Sequence, residues 1–185
     1  MTRRSLRGLL PVLILLTLGA TACTSSKVEP LRVSAKADQQ YSEITVGELT
    51  TSNELWEHYL PHLRQGIVQG LRESEQFAKV NVRPQDRPNE GALVLSGHLL
   101  AIDEGDKALR FIIGFGAGSA EARGRFEISD ERALLVSFNV ETDYAGGAGI
   151  GGIDMMNMDE LIQELGVDAA ESTARWAQGK DLSDK

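Results

Sequence analysis

From Ala120 to Ile128 every second residue is small or apolar (Ala120, Ala122, Gly124, Phe126, Ile128), and the residues between are Glu121, Arg123, Arg125 and Glu127. A period of two places the two sets on opposite faces of a β-strand, so one face must be dry and the other wet. Leu134, Val136, Phe138 and Val140 repeat the pattern against Leu135, Ser137, Asn139 and Glu141. Ser129 to Arg132, "SDER", is a hairpin-type turn between the two strands. Ala92 to Ile102 is a third strand, closed by the turn Asp103 to Asp106. Neighbouring strands with one dry face need a second layer to cover it, and that requirement limits the fold more than any other feature.

Two segments have the period to supply that layer. Trp56, Leu60, Leu63, Ile67 and Leu71 fall on one helical face, with Thr51, Ser52 and Asn53 as candidate caps. Pro61 interrupts this face: either the helix kinks there, or the main helix starts with Pro61 in its first turn. Met158, Ile162, Leu165, Ala169 and Trp176 form the second face, opened by Asn157 with Glu160 three residues on. Gly166 weakens this helix, and Asp168 with Glu171 is a candidate restart. Glu43 to Leu49 and Phe77 to Arg83 read as further strands, and Pro84 to Gly91 as a loop. The expectation is an α+β fold over residues 41–180: a mostly antiparallel sheet of about five strands with two helices packed on one face, a two-layer sandwich.

The N-terminus reads as an export signal over residues 1–22. Arg3, Arg4 and Arg7 precede the apolar run Gly8 to Ala22, which is shorter than the ~20 residues of a spanning helix. "ATAC", Ala20 to Cys23, resembles the lipobox of bacterial lipoproteins, in which the cysteine is lipidated. Ala20-Thr21-Ala22 also suits ordinary signal peptidase, which leaves a free thiol as the alternative. Cys23 is the sole cysteine, so an unmodified thiol would be a liability in an oxidising compartment, and lipidation is favoured. Thr24 after the cysteine resembles the sorting signal for the outer membrane, periplasmic face. Thr24 to Gln40 reads as a polar tether after the anchor, with Leu31, Val33 and Ala35 as a candidate edge strand. The 27 acidic residues all follow the signal, against 16 of the 19 basic ones, a balance of −11. Such a surface repels nucleic acid and anionic lipid, so acyl chains rather than charge would hold the protein on a membrane.

Candidate chemistry is sparse. Gly114-Phe115-Gly116-Ala117-Gly118 is G-x-G-x-G followed by a strand, whereas a dinucleotide site needs G-x-G-x-x-G opening a helix. Gly114, Gly116 and Gly118 are therefore structural glycines at a bend, and no cofactor is expected. His58 and His62 stand four apart beside Glu57, but Pro61 disturbs their register and they read as solvated helix positions. Ser96 and His98 share a strand face without a recognisable orienting acid. Asp103, Glu104 and Asp106 lack the twelve-residue calcium loop. Gly146, Gly147, Gly149, Gly151 and Gly152 with Met155, Met156 and Met158 form a candidate partner-binding loop, because methionine adapts to varied apolar partners.

Taken together, "ATAC", "ITVGEL", "FAKV", "ALVLSGHLLAIDEGDKALRFIIGFGAGSAEARGRFEISD" and the closing glycine tract with its helix are similar to the domain-of-unknown-function 4410 family of Gram-negative exported lipoproteins. The resemblance runs from Ile44 to Trp176 and is most specific over Gly105 to Gly118. It implies a small envelope domain on a lipid anchor and supplies no catalytic residue. The functional expectation is a non-enzymatic accessory or partner-binding module. A carrier or sensor of a small apolar ligand is the runner-up, recognisable by a cavity lined by Ile112, Phe126, Leu134 and Phe138. A hydrolase-type enzyme comes third.

Overall fold

The computed structural model describes residues 23–34, 41–82, 91–105, 119–145 and 157–182. Along the chain these form β1 (Cys23–Val33), β2 (Glu43–Thr51), a 3-10 turn (Glu54–Tyr59), α1 (Leu60–Glu73), β3 (Lys79–Val82), β4 (Ala92–Asp103), β5 (Ala120–Ser129), β6 (Leu134–Ala145) and α2 (Met158–Ala177). Residues 1–22 of the expected export signal, residues 106–118 with Gly114, Gly116 and Gly118, and residues 146–156 with the glycines and Met155 and Met156 of the candidate loop lie outside the described residues.

The alternation in β5 and β6 sets the sheet. Ala120, Ala122, Gly124, Phe126 and Ile128 are buried while the charged residues between them face outward. Phe126 opposes Phe138 across the antiparallel β5–β6 ladder, with ring centroids 5.8 Å apart. Asp130 closes the hairpin: its Oδ1 accepts the backbone N–H groups of Arg132 and Ala133. On the other flank β5 pairs antiparallel with β4, and Phe126 sits opposite Gly97. A side chain at Gly97 or at Gly124 would run into the Phe126 ring, so these glycines give the ring its space.

The sheet has six strands in the order β1-β6-β5-β4-β2-β3, and it is mixed rather than mostly antiparallel. β2 runs parallel to both β3 and β4. The cause is α1: a helix between β2 and β3 returns the chain to the end where β2 began, so β3 must enter in the same direction. The sixth strand is β1. The segment expected to be a tether is strand from Cys23 to Val33, antiparallel to β6, and the candidate edge strand at Leu31 and Val33 is its last part. Its polar composition is that of an edge strand, which meets water along one side.

Both helices cover one face of the sheet. Pro61 lies in the first turn of α1, and Trp56 belongs to the separate 3-10 turn, whose cap is Asn53 accepting the Leu55 N–H. Leu63, Ile67 and Leu71 point into the core, as their spacing predicts. α2 is capped by Asn157, whose Oδ1 accepts from the Glu160 N–H, and Met158 is its first residue rather than part of a loop. α2 runs unbroken through Gly166 because the helices touch there: a side chain on Gly66 would overlap the Gln163 carbonyl, and one on Gly166 the Leu63 carbonyl. Gly66 meets Gln163 and Gly70 meets Ala170, so α1 and α2 run in the same direction.

Candidate functional site

Strand directions bring several termini to one end of the sheet. β2 and β4 finish there, β5 begins, β6 finishes and β1 begins, since Cys23 opposes Ala145, Ala120 opposes Tyr144, and Thr51 opposes Leu99. α1 follows β2 through the 3-10 turn and α2 follows β6, so both helices start at this end. Cys23, the candidate lipidation residue, is thus the first residue of a paired strand at the end from which both helices depart.

β1 is fastened to the body there. Asp168, buried in the middle of α2, accepts hydrogen bonds from Ser26 Oγ of β1 and Thr142 Oγ1 of β6, each at 2.9 Å. One carboxylate therefore ties the edge strand, its neighbour and the covering helix together. In the sequence Asp168 stands as a candidate helix start. Its partners lie 142 and 26 residues away, and the only signal available was an acid on a face otherwise built of small and apolar residues.

The histidines have separate settings. His62 Nε2 stands 3.6 Å from Asp159 Oδ1 of α2, while the His58 ring lies against Tyr59, centroids 3.9 Å apart. They are not brought together as a metal pair. Burial raises the Tyr59 phenol above its ordinary value, with Glu104 and Asp159 adding to the effect. His98 is held by hydroxyls: Thr50 Oγ1 lies 2.8 Å from Nδ1 and Ser52 Oγ 3.0 Å from Nε2. Both come from the β2 side, where Thr50 opposes His98, so the ring nitrogens go to Thr50 and Ser52 rather than to Ser96. Asp103 Oδ1 accepts the Gly105 N–H and shapes its own turn, while Asp106 lies outside the described residues.

The outer sheet face carries an ion-pair network. Arg123 bridges Glu121 at 2.7 Å and Glu141 at 2.8 Å, and Asp143 completes an acidic trio with them. Burial pushes the Asp143 carboxyl up, helped by Glu141 and opposed by Arg123. A cation could join the trio only by competing with the guanidinium already there. Phe126 and Phe138, named for the apolar-ligand cavity, are fully buried against each other, Leu134 is half-buried, and Ile112 lies outside the described residues. Space over Gly97 and Gly124 is filled by the Phe126 ring, which counts against a ligand chamber at that position.

An open groove of about 900 Å³ does run along the outer side of α1. Leu49, Val68 and Val82 form its apolar part, with Arg64, Arg72 and Glu73 among its charged residues. It adjoins β3, the outermost strand on that flank, whose Val82 is 45% exposed. On the opposite flank the outermost strand β1 shows Leu31 and Val33, 46% and 51% exposed. No helix among the described residues is long and apolar enough to cross a membrane.

A family model described as Domain of unknown function (DUF4410) matches residues 29–157. No curated protein matches the chain. Among solved structures, the PelC dodecamer from Paraburkholderia phytofirmans is similar at 14% identity, covering 80% of this chain and 96% of that one with a TM-score of 0.52. Protein XCC0632 from Xanthomonas campestris, of family DUF330, is 11% identical over 82% of this chain and 94% of that one, with a TM-score of 0.44. The likeness to PelC is one of fold.

Proposed function

Because the chain belongs to the domain-of-unknown-function 4410 family, we propose that it is an exported envelope lipoprotein, anchored through Cys23 on the periplasmic face of the outer membrane, that works by binding protein partners rather than by catalysis. The groove beside β3, whose outer edge no strand among the described residues pairs, carries this reading. An apolar floor with a charged margin next to a strand at the sheet edge suits an added strand from a partner: main-chain bonds supply affinity and side-chain pockets supply choice. The groups best equipped for chemistry have structural work instead, since hydroxyls hold His98, carboxylates hold Arg123, and Asp168 fastens β1.

Another copy of the chain is the partner that the sheet suits best. β1 and β3 occupy opposite edges and run in opposite directions, so β1 of one copy can lie antiparallel to β3 of the next. Every Cys23 then stays on one side of the assembly, as a shared membrane requires. Such head-to-tail contacts close into rings when the rotation permits, and the similarly folded PelC of P. phytofirmans forms a dodecamer. The glycine- and methionine-rich segment from Gly146 to Met156 is a second contact surface in this proposal.

Light scattering on detergent-solubilised protein tests the self-association, with Val82→Asp as the variant. Expected is a wild-type mass several times that of the 20.1 kDa chain, falling to one chain in the variant. A monomeric wild type, or an unchanged mass in the variant, refutes edge-to-edge assembly. Deleting residues 146–156 should remove co-purified envelope proteins, and unchanged recovery would discard the loop as a contact.

A further inference from the structure

We propose that the end of the domain bearing Cys23 rests on a zwitterionic lipid surface and touches it at two places, the anchor and the 3-10 turn Glu54–Tyr59. This inference rests on the reading of Cys23 as the anchored residue. Thr24 already opposes Tyr144, and Ser26 is bound to Asp168, so no spacer separates the anchor from the folded body. An acyl group on Cys23 therefore draws the sheet end itself to the depth of the head groups. Four strand spacings separate β1 from β2, which places the turn that follows β2 on the order of 20 Å across the same end. Two contacts that far apart fix the tilt of the domain.

The second contact has suitable chemistry. Leu55 is 77% exposed, more than any other large apolar side chain among the described residues. Exposed leucines are ordinary on protein surfaces. Leu55 differs in standing at the anchored end beside Trp56 and Tyr59, which are only partly buried against the core. Tryptophan and tyrosine favour the membrane–water boundary because their rings combine an apolar body with a polar tip. Glu54, Glu57, Asp103 and Glu104 are exposed at this end too, so head groups without net charge are the surface that it tolerates.

The two tryptophans make the test direct. Trp56 lies at the anchored end, whereas Trp176 is 3% exposed near the far end of α2. Residues 23–185 hold every described element, and Cys23 is the sole cysteine, so this chain can be coupled to a maleimide lipid in phosphatidylcholine vesicles with brominated acyl chains. Expected is quenched tryptophan emission that disappears in Trp56→Phe. Leu55→Glu should remain coupled yet lose the quenching, and replacing part of the lipid with phosphatidylglycerol should weaken it in the wild type. Coupled wild type without quenching, or Leu55→Glu quenched equally, overturns the proposal. Fatty-acid labelling of the native chain against Cys23→Ser tests the anchor separately. Absent labelling with quenching retained would remove the native anchor and leave the docking end standing.

Discussion

Removing the Asp168 carboxylate should release β1 from the domain before anything else unfolds. The carboxylate accepts from Ser26 and Thr142, both at 2.9 Å, in a buried setting. Hydrogen bonds to a charged acceptor contribute about 1.5–3 kcal/mol each, so two give a gross loss of about 3–6 kcal/mol in Asp168→Ala. Part of this is offset because the variant no longer takes a carboxylate out of water, a cost of several kcal/mol for a buried ion. A net loss of about 2–3 kcal/mol follows, equivalent to a roughly 30- to 150-fold rise in local opening. Amide exchange reads this directly, because local openings differ among segments of one protein. In Asp168→Ala the β1 amides that bond to β6 should exchange faster by about that factor relative to those of β5, and Ser26→Ala should move them the same way by less. If β1 and β5 accelerate equally, or β1 does not accelerate, the carboxylate is not what holds the edge strand.

Other expectations concern packing and charge. Gly66→Ala should destabilise the protein by about 1–3 kcal/mol in urea titration, because the new methyl must push the Gln163 carbonyl of α2 away. Phe126→Ala should cost about 3–5 kcal/mol, since the fully buried ring fills most of the space above Gly97 and Gly124, with the tips of Leu49 and Leu165 beside it. Burial pushes the Asp130 carboxyl up, but the N–H groups of Arg132 and Ala133, the Tyr41 hydroxyl and the Arg132 charge outweigh it, and the folded value lies below the ordinary 3.8. A lowered acid contributes stability above its unfolded value that is lost as pH falls through the folded one. Asp130→Asn should therefore be weaker than wild type near neutral pH and approach it as pH falls below the ordinary 3.8 and through the lowered folded value, as denaturation at several pH values would reveal.

The strands β4, β5 and β6 and the apolar faces of both helices were legible because their information is local: two- and four-residue periods record which side meets water. Pro61 and Asn157 were equally plain, each acting on its own turn. Features that depend on distant pairing were hidden. Nothing within Lys79–Val82 states that it runs parallel to β2, because that follows from where α1 delivers the chain. β1 resembles a tether in sequence because an edge strand needs few apolar residues, and its partners, β6 and Asp168, lie more than a hundred residues away. The hydroxyls on His98 were missed for the same reason: Ser96 is near in sequence, but Thr50 and Ser52 are near in space.

The parallel β2–α1–β3 crossover also bears on the acids found at the end of the sheet that carries Cys23. It starts α1 at the same end as α2, and the 3-10 turn opens there too. Helix starts carry unpaired N–H groups and a partial positive charge, which favour nearby carboxylates. Asp159 and Glu160 stand in the first turn of α2, and Glu54 and Glu57 in the 3-10 turn, so folding alone accounts for acids at these positions. The same acids discourage approach to anionic lipid, so in the docking proposed above the attachment of this end falls to acyl chains and to the uncharged Leu55, Trp56 and Tyr59. Stability and the proposed membrane preference thus draw on one set of charges, and replacing those carboxylates should alter both together.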